Sequence, residues 1–173
     1  PAGSAAESAC FCKSGFYGDG VSSCEACQAG KYFIPTSLTC SGPCPCTPSS
    51  GLRAGNFSDG PGNYANDQTC SWLIASATEI TVRFTSFDTQ PSDYWDHDFV
   101  TINRCTSADC STKEQVAQLS GSAVSAETAY SSSTGFLQVE FRSNQINYEP
   151  GFEAEWSLAT GPFNPSLTCS GSC

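Results

Sequence analysis

From residue 51 onward, apolar and polar side chains alternate along the chain with a period of two. In one segment Ile80, Val82 and Phe84 alternate with Thr81 and Arg83. Two later segments repeat this pattern, with apolar positions at Leu137, Val139 and Phe141 and at Phe152, Ala154, Trp156 and Leu158. Because successive side chains of a strand point to opposite faces of a sheet, the alternation predicts antiparallel strands with one buried face.

Turn-forming residues separate the predicted strands. Clusters rich in glycine, proline, serine and aspartate occur at residues 59–62, 90–93, 120–122 and 149–151. They favour chain reversals because glycine accepts positive φ angles and proline fixes its own φ. No segment shows the apolar stripe of a helix, and about eight strands at this spacing predict an all-β sandwich.

The first 46 residues differ in composition, because they hold more than half of the 12 cysteines. A segment of this length cannot build a core without covalent support. An even number of cysteines at short spacings indicates disulfides formed in an oxidising compartment. Zinc bound by Cys24, Cys27, Cys40 and Cys44 is a less favoured alternative, since the chain has a single histidine.

The charge balance narrows the range of partners. Seventeen acidic and seven basic residues give a net charge of −10. This charge disfavours nucleic acid and anionic membranes and favours a cation or a basic partner. No stretch approaches the ~20 apolar residues of a membrane span, so insertion into a membrane is not expected.

Residues 10–24 carry a pattern that resembles the last third of an EGF-like module, CxCxxGFxGDG followed by a cysteine. The resemblance implies a bond between Cys12 and Cys24. The following CEACQAGKY resembles the short repeated units of cysteine-rich ectodomains. We therefore expect a small disulfide-rich module, partly EGF-like, over 1–27 and a cysteine-rich connector over 28–45. The partners of Cys10, Cys27, Cys40 and Cys44 stay open.

A series of motifs over about residues 46–159 is similar to the CUB domain family. After Cys46 they occur in the order CSWLI at 70–74, ITVRF at 80–84, DFVTI at 98–102, VEFRSN at 139–144 and GFEAEW at 151–156. The resemblance implies an antiparallel sandwich of the jelly-roll type over 46–160. It also implies an extracellular setting, either secreted or at the cell surface.

The same resemblance implies disulfides. In CUB domains an early cysteine bonds to the cysteine of the CxW motif, which implies a bond between Cys46 and Cys70. Trp95 stands where the family's second bond would begin, so this bond is missing. Cys105 and Cys110 are expected to close a local loop instead, which restrains little chain entropy.

Many CUB domains bind calcium at one end of the sandwich, and oxygens stand at each corresponding position of this chain. These positions are Gln90, Asp98, Asn144, Asn147 and the carbonyl of Ile146. Gln90 and Asn144 replace carboxylates of the family, and calcium affinity falls as carboxylates are lost. Two alternatives stay open. Either calcium binds, with Asp88, Asp93 and Asp96 supplying charge, or a metal-free amide network joins the loops.

Two surface features are candidates for interaction or modification. The loop Tyr94, Trp95, Asp96 and His97 combines aromatic and acidic residues, as contact surfaces do; alternatively, Trp95 only covers the end of the sandwich. Asn56-Phe57-Ser58 is an N-glycosylation sequon, or a chance match on an edge strand.

Catalysis receives little support from the sequence. His97 lies between acidic residues, and no serine has the context of an activated nucleophile. We therefore expect a non-catalytic structural or assembly module, a segment of a larger repeating CUB/EGF-like protein that forms a filament, sheath or matrix. Its partners would be copies of itself or neighbouring modules. The alternatives are a calcium-dependent adhesion module that binds a basic protein or carbohydrate, and an accessory segment of a secreted protease or receptor.

An octapeptide occurs twice, as SLTCSGPC at 37–44 and as SLTCSGSC at 166–173. The copies differ only at Pro43 and Ser172, and one CUB domain fits between them. We expect residues 161–173 to be a linker and the start of a next CUB-like repeat. Alternatively, Cys169 and Cys173 bond to each other, to the region around Cys40 and Cys44, or to a neighbouring molecule.

Overall fold

The chain folds into two facing antiparallel sheets. A computed structural model describes residues 36–91, 98–122, 124–146 and 149–159, together with the backbone of four two-residue strands outside these ranges. Within these residues all regular structure is β, which confirms the predicted fold class. The strands are β1 (Phe16–Tyr17), β2 (Glu25–Ala26), β3 (Tyr32–Phe33), β4 (Ser37–Ser41), β5 (Ser49–Ser50), β6 (Ala54–Ser58), β7 (Thr69–Ala75), β8 (Ile80–Asp88), β9 (Phe99–Cys105), β10 (Lys113–Leu119), β11 (Ala129–Ser132), β12 (Phe136–Arg142), β13 (Gly151–Leu158) and β14 (Cys169–Ser170).

The sandwich consists of a six-stranded and a four-stranded sheet. The first has the order β10-β9-β12-β7-β4-β5 and the second the order β11-β8-β13-β6. Two short antiparallel pairs, β1 with β2 and β14 with β3, lie outside the sandwich. Among the residues that the structure describes, no helix is long and apolar enough to span a membrane.

The alternating apolar positions form the core between the sheets. In β8, Ile80, Val82 and Phe84 are buried, while Thr81 and Arg83 lie on the outer face with more exposure. The apolar positions of β12 and β13 are buried in the same way. The apolar side chains at every second position are therefore the ones that fill the space between the two sheets.

The sandwich includes a strand that the sequence analysis placed in the cysteine-rich connector. Ser37–Ser41, the first five residues of the octapeptide, pairs with β7 over its whole length and with β5 at its start. Leu38 is the buried apolar residue of this strand. A single apolar position does not establish an alternation, so the sequence did not indicate the strand.

The predicted bond between Cys46 and Cys70 is wrong. Cys44 bonds to Cys70, and Cys46 bonds back to Cys40. The turn at Gly42 explains the difference, because Gly42 has a φ of +97° and lies against the backbone of β7, where no Cβ would fit. This turn brings Cys44 to Cys70, whose sulphur accepts a hydrogen bond from the Cys44 N–H at 3.1 Å.

Two further points on the cysteines follow from the structure. Cys105 and Cys110 are joined by the local bond that the sequence led us to expect. Because Cys40 and Cys44 have partners within the sandwich, neither of them is the partner of Cys169 or Cys173. Cys12, Cys24, Cys169 and Cys173 have side chains outside the described residues, so their predicted bonds stay predictions.

The chain enters and leaves the sandwich at the same end, which we call the tether end. Thr36 accepts a hydrogen bond from the Gly51 N–H at 2.8 Å, and Leu158 donates to the Arg53 carbonyl at 2.9 Å. Ala159 donates at 3.0 Å to Glu79, in the connection between β7 and β8. The opposite end, the loop end, carries the connections that follow β6, β8 and β12.

Candidate functional site

Three of the residues predicted to bind calcium lie together at the loop end. Gln90 follows β8, Asp98 precedes β9 and Asn144 follows β12. Their exposed fractions are 3%, 0% and 8%, so all three are removed from bulk water. The sheet topology thus brings together side chains that are far apart in the sequence.

Both oxygens of the Asp98 carboxylate accept hydrogen bonds. The Tyr64 hydroxyl donates to Oδ2 at 2.5 Å, and the Asn144 N–H donates to Oδ1 at 2.7 Å. The Gln90 N–H donates to the Tyr64 hydroxyl oxygen at 3.1 Å. Burial and the hydrogen bond to Asp98 raise the pKa of Tyr64, so the phenol stays protonated and donates. Tyr64 was not among the predicted site residues.

The side chains of Gln90 and Asn144 bond directly to each other. Asn144 Nδ2 donates to Gln90 Oε1 at 2.6 Å, while Asn144 Oδ1 accepts from the Ile146 N–H at 2.7 Å. A backbone N–H needs an oxygen, so the Ile146 contact fixes which way the Asn144 amide points. We call Tyr64, Gln90, Asp98, Asn144 and the Ile146 N–H the amide network.

These residues do not fit a calcium ion. Calcium prefers six to eight oxygen ligands, several of them carboxylates, and the amide network holds one carboxylate. The Asn144 NH₂ group approaches Gln90 Oε1 at the distance of a short hydrogen bond, which presents a partial positive charge to any cation there. Within the described ranges, no three acidic, histidine or cysteine side chains are grouped to hold a metal. Asn147, Asp93 and Asp96 lie outside those ranges.

The other predicted site residues stay predictions. Tyr94, Trp95, Asp96 and His97 lie outside the described residues. Asn56 is exposed on edge strand β6, opposite Glu155 of β13. It lines a groove of about 380 Å³ together with Thr85, Glu153 and Glu155, so its amide is accessible for modification.

A second buried carboxylate, Asp59, lies where β6 ends. Its Oδ1 accepts the Phe152 N–H at 2.6 Å, but its Oδ2 has no hydrogen-bond partner among the residues that the structure describes. Gly151 has a φ of +84° and passes so close that a Cβ would overlap the carboxylate. Burial raises the pKa of Asp59, although the Phe152 N–H acts in the opposite direction. The sequence indicated only a turn at this position.

We expect Asp59→Asn to change the pH dependence of stability. Because burial raises the pKa of Asp59 in the folded state, the folded protein holds this proton more tightly than the unfolded chain. Below the ordinary pKa of a carboxyl group, Asp59 therefore makes its full contribution to the free energy of unfolding. That contribution is lost as pH rises through the pKa that Asp59 has in the folded protein. The amide keeps the acceptor for Phe152 without the charge, so at pH 7 the variant should be the more stable of the two proteins.

Urea unfolding of both proteins between pH 4 and pH 7 would measure the effect. The two proteins should be nearly equal at the acid limit and diverge as pH rises. A matched control is Asp67→Asn, which replaces an exposed aspartate and should keep the profile of the unmodified chain. A profile of Asp59→Asn parallel to that of the unmodified chain would contradict the prediction.

The chain resembles known proteins in sequence and in fold. The family profile described as CUB domain matches residues 40–156. No curated protein sequence matches the chain. The full extracellular region of zebrafish Gpr126/Adgrg6 is 20% identical, with a TM-score of 0.52, over 63% of this chain and 14% of that one.

Two further solved structures contain similar sandwiches. The CUB1-EGF-CUB2 domain of human MASP-1/3 is 22% identical, with a TM-score of 0.50, over 62% of this chain and 42% of that one. The MASP-1 CUB2 domain bound to Ca²⁺ is 18% identical, with a TM-score of 0.50, over 61% of this chain and 93% of that one. At these identities the similarity concerns the fold alone. The chain spans less than half of the length of the Gpr126/Adgrg6 and CUB1-EGF-CUB2 structures.

Proposed function

Because the chain belongs to the CUB domain family, we propose that it is a non-catalytic extracellular assembly module of a larger protein in which CUB-like units repeat. Units of this kind would associate with neighbouring modules or with copies of the same protein in a filament, sheath or matrix. The proposal rests chiefly on the repeated octapeptide.

The first copy of the octapeptide has a defined structural role. It supplies β4, the Gly42 turn and one cysteine of each of two disulfides: Cys40, which bonds to Cys46 just beyond the octapeptide, and Cys44, which bonds to Cys70 of β7. The second copy keeps all these residues and exchanges only Pro43 for Ser172. The same eight residues are therefore suited to begin a second sandwich, which supports a repeating unit of 129 residues from Ser37 to Ser166.

The position of the tether end also suits a modular protein. Because Thr36 and Ala159 lie at the same end, preceding and following modules would attach there and leave the loop end free for contacts. The MASP-1/3 structure named CUB1-EGF-CUB2 joins two CUB units through an EGF unit. An EGF-like pattern before a CUB unit in this chain is consistent with such an arrangement.

The chemistry of the loop end favours a role without catalysis. Both Asp98 oxygens accept short hydrogen bonds, so this carboxylate is committed to structure. Asp59, the other buried carboxylate among the residues that the structure describes, lies against the backbone of Gly151 and Phe152. Neither group is placed to activate a water or a nucleophile on a substrate.

The sequence that follows Ser166 in the coding region would test the repeat. We expect a cysteine six residues after Cys169 and another 26 residues after Cys173, the separations of the two bonds formed by the first copy. The second of these cysteines should open a Cys-x-Trp strand. Electron microscopy of the whole protein should then show a regular polymer. A protease domain or a membrane span after Ser166, with no second CUB unit, would instead favour the accessory-segment alternative.

We also propose that Asn56 carries an N-linked glycan. Protein secreted from eukaryotic cells should lose mass on treatment with a peptide N-glycosidase, and Ser58→Ala should remove the glycan while keeping the asparagine. Asn164 provides an internal control, because Pro165 follows it and excludes recognition. An unmodified Asn56 peptide from secreted protein would overturn this proposal.

A further inference from the structure

We infer that the amide network replaces calcium at the loop end, so that this module folds and keeps its loops in place without a metal ion. The inference concerns the isolated sandwich and is independent of the proposed repeat.

The hydrogen bonds of the amide network join the three connections of the loop end to one another. Tyr64, from the connection after β6, donates to Asp98, which ends the connection after β8. Gln90 and Asp98 in turn bind Asn144, in the connection after β12. The connection after β8 is therefore linked to each of the other two without a bridging ion.

Further hydrogen bonds supply the third link, between the connections after β6 and β12. Asp67 donates to the Asn144 carbonyl at 2.8 Å, and Tyr64 donates to the Glu149 carbonyl at 3.2 Å. The Ser143 hydroxyl accepts from the Gln68 N–H at 2.9 Å and donates to the Ala65 carbonyl at 2.8 Å. The connections after β6 and β12 are thus held together over several residues on either side of the amide network.

The charge of the site explains why no ion is needed. A cluster of buried carboxylates repels itself and requires a cation, whereas Gln90 and Asn144 are neutral. The one charge, on Asp98, is stabilised by the Tyr64 hydroxyl and the Asn144 N–H. Charge-assisted hydrogen bonds of this kind are stronger than neutral ones. The Asn144 NH₂ group is not a calcium ligand, and the one side-chain oxygen of Asn144 already accepts the Ile146 N–H.

Thermal unfolding with calcium and with a chelator is the primary test. A ligand that binds only the folded state raises the unfolding temperature in a concentration-dependent manner. We expect the unfolding temperature of this chain to agree within about 1 °C under the two conditions. A saturable rise with calcium would overturn the inference, whichever residues supplied the ligands.

Two combined substitutions test whether the amides of Gln90 and Asn144 are what excludes calcium. Gln90→Glu combined with Asn144→Asp places three carboxylates at the loop end and removes the Asn144 NH₂ donor. We expect this variant to be less stable than the unmodified chain in chelator, or unfolded there, and to regain stability when calcium is added. Gln118→Glu, at an exposed amide on β10, is the matched control and should show no response. If calcium has no effect on the double variant, the two amides are not what excludes the ion, and that part of the inference is overturned.

A third variant tests the hydrogen bonds themselves. Tyr64→Phe removes the hydroxyl that donates to Asp98 and leaves the ring in contact with Phe141. We expect a loss of stability that is the same in calcium and in chelator. A loss seen only in chelator would mean that an ion shares the Asp98 carboxylate, and it would overturn the inference.

Discussion

Replacement of Phe152 by alanine is expected to lower the free energy of unfolding by about 3–5 kcal/mol, the range for large buried aromatic residues. Phe152 is 1% exposed and begins the buried face of β13. Its ring contacts aromatic rings from both sheets, namely Phe57, Trp72, Phe84, Phe87 and Phe141. Aromatic pairs in stacked or edge-on contact contribute beyond the area that they bury. Truncation at this position therefore removes contacts on both sides of the sandwich at once.

Urea unfolding at equilibrium would measure this loss. Phe152→Leu should lose less, because it keeps most of the side-chain volume. Leu52→Ala is the control for a large apolar residue outside the core, since Leu52 is 48% exposed; its change should stay within about 0.5 kcal/mol. A loss below about 1 kcal/mol for Phe152→Ala would show that Phe152 and the five rings it contacts do not form the centre of the core.

The sequence predicted the central strands well because each has a clear apolar face. The alternation located β8, β12 and β13, which supply most of the core. It could not indicate β10, since Lys113–Leu119 is an edge strand whose residues are largely exposed. A bulge between Gln115 and Ala117 also interrupts its pairing with β9. An edge strand buries little, so selection for apolar residues on one face is weak there.

The site was predicted in part. Gln90, Asp98 and Asn144 come together as the resemblance implied, but their bonding pattern could not be derived from residue types. The Tyr64 hydroxyl meets Asp98 across 34 residues, and Asp59 meets Phe152 across 93. Such contacts depend on sheet order and register, which a local pattern does not contain. The segment that begins at Asp59 also has the composition of a turn, which conceals the buried role of its aspartate.

Loss of the bond between Cys44 and Cys70 is the second large effect that we expect. Both cysteines are buried, and their bond spans 26 residues. In the chain-entropy account, a closed loop of this length stabilises the folded state by about 3–4 kcal/mol. The bond between Cys40 and Cys46 spans six residues, and the same account gives about 2 kcal/mol. Cys44→Ser with Cys70→Ser should therefore destabilise the sandwich more than Cys40→Ser with Cys46→Ser.

Peptide mapping of single variants would separate this pairing from the bond between Cys46 and Cys70 that the family resemblance implied. Trypsin releases residues 32–53, which contain Cys40, Cys44 and Cys46, and residues 54–83, which contain Cys70. Without reducing agent, Cys46→Ser should keep the two peptides linked and Cys44→Ser should separate them. The reverse result would restore the bond that the resemblance implied. It would also remove the structural role of the last residue of the octapeptide, because Cys44 would no longer anchor β4 to β7, and Cys173 would lose its expected function in a second unit.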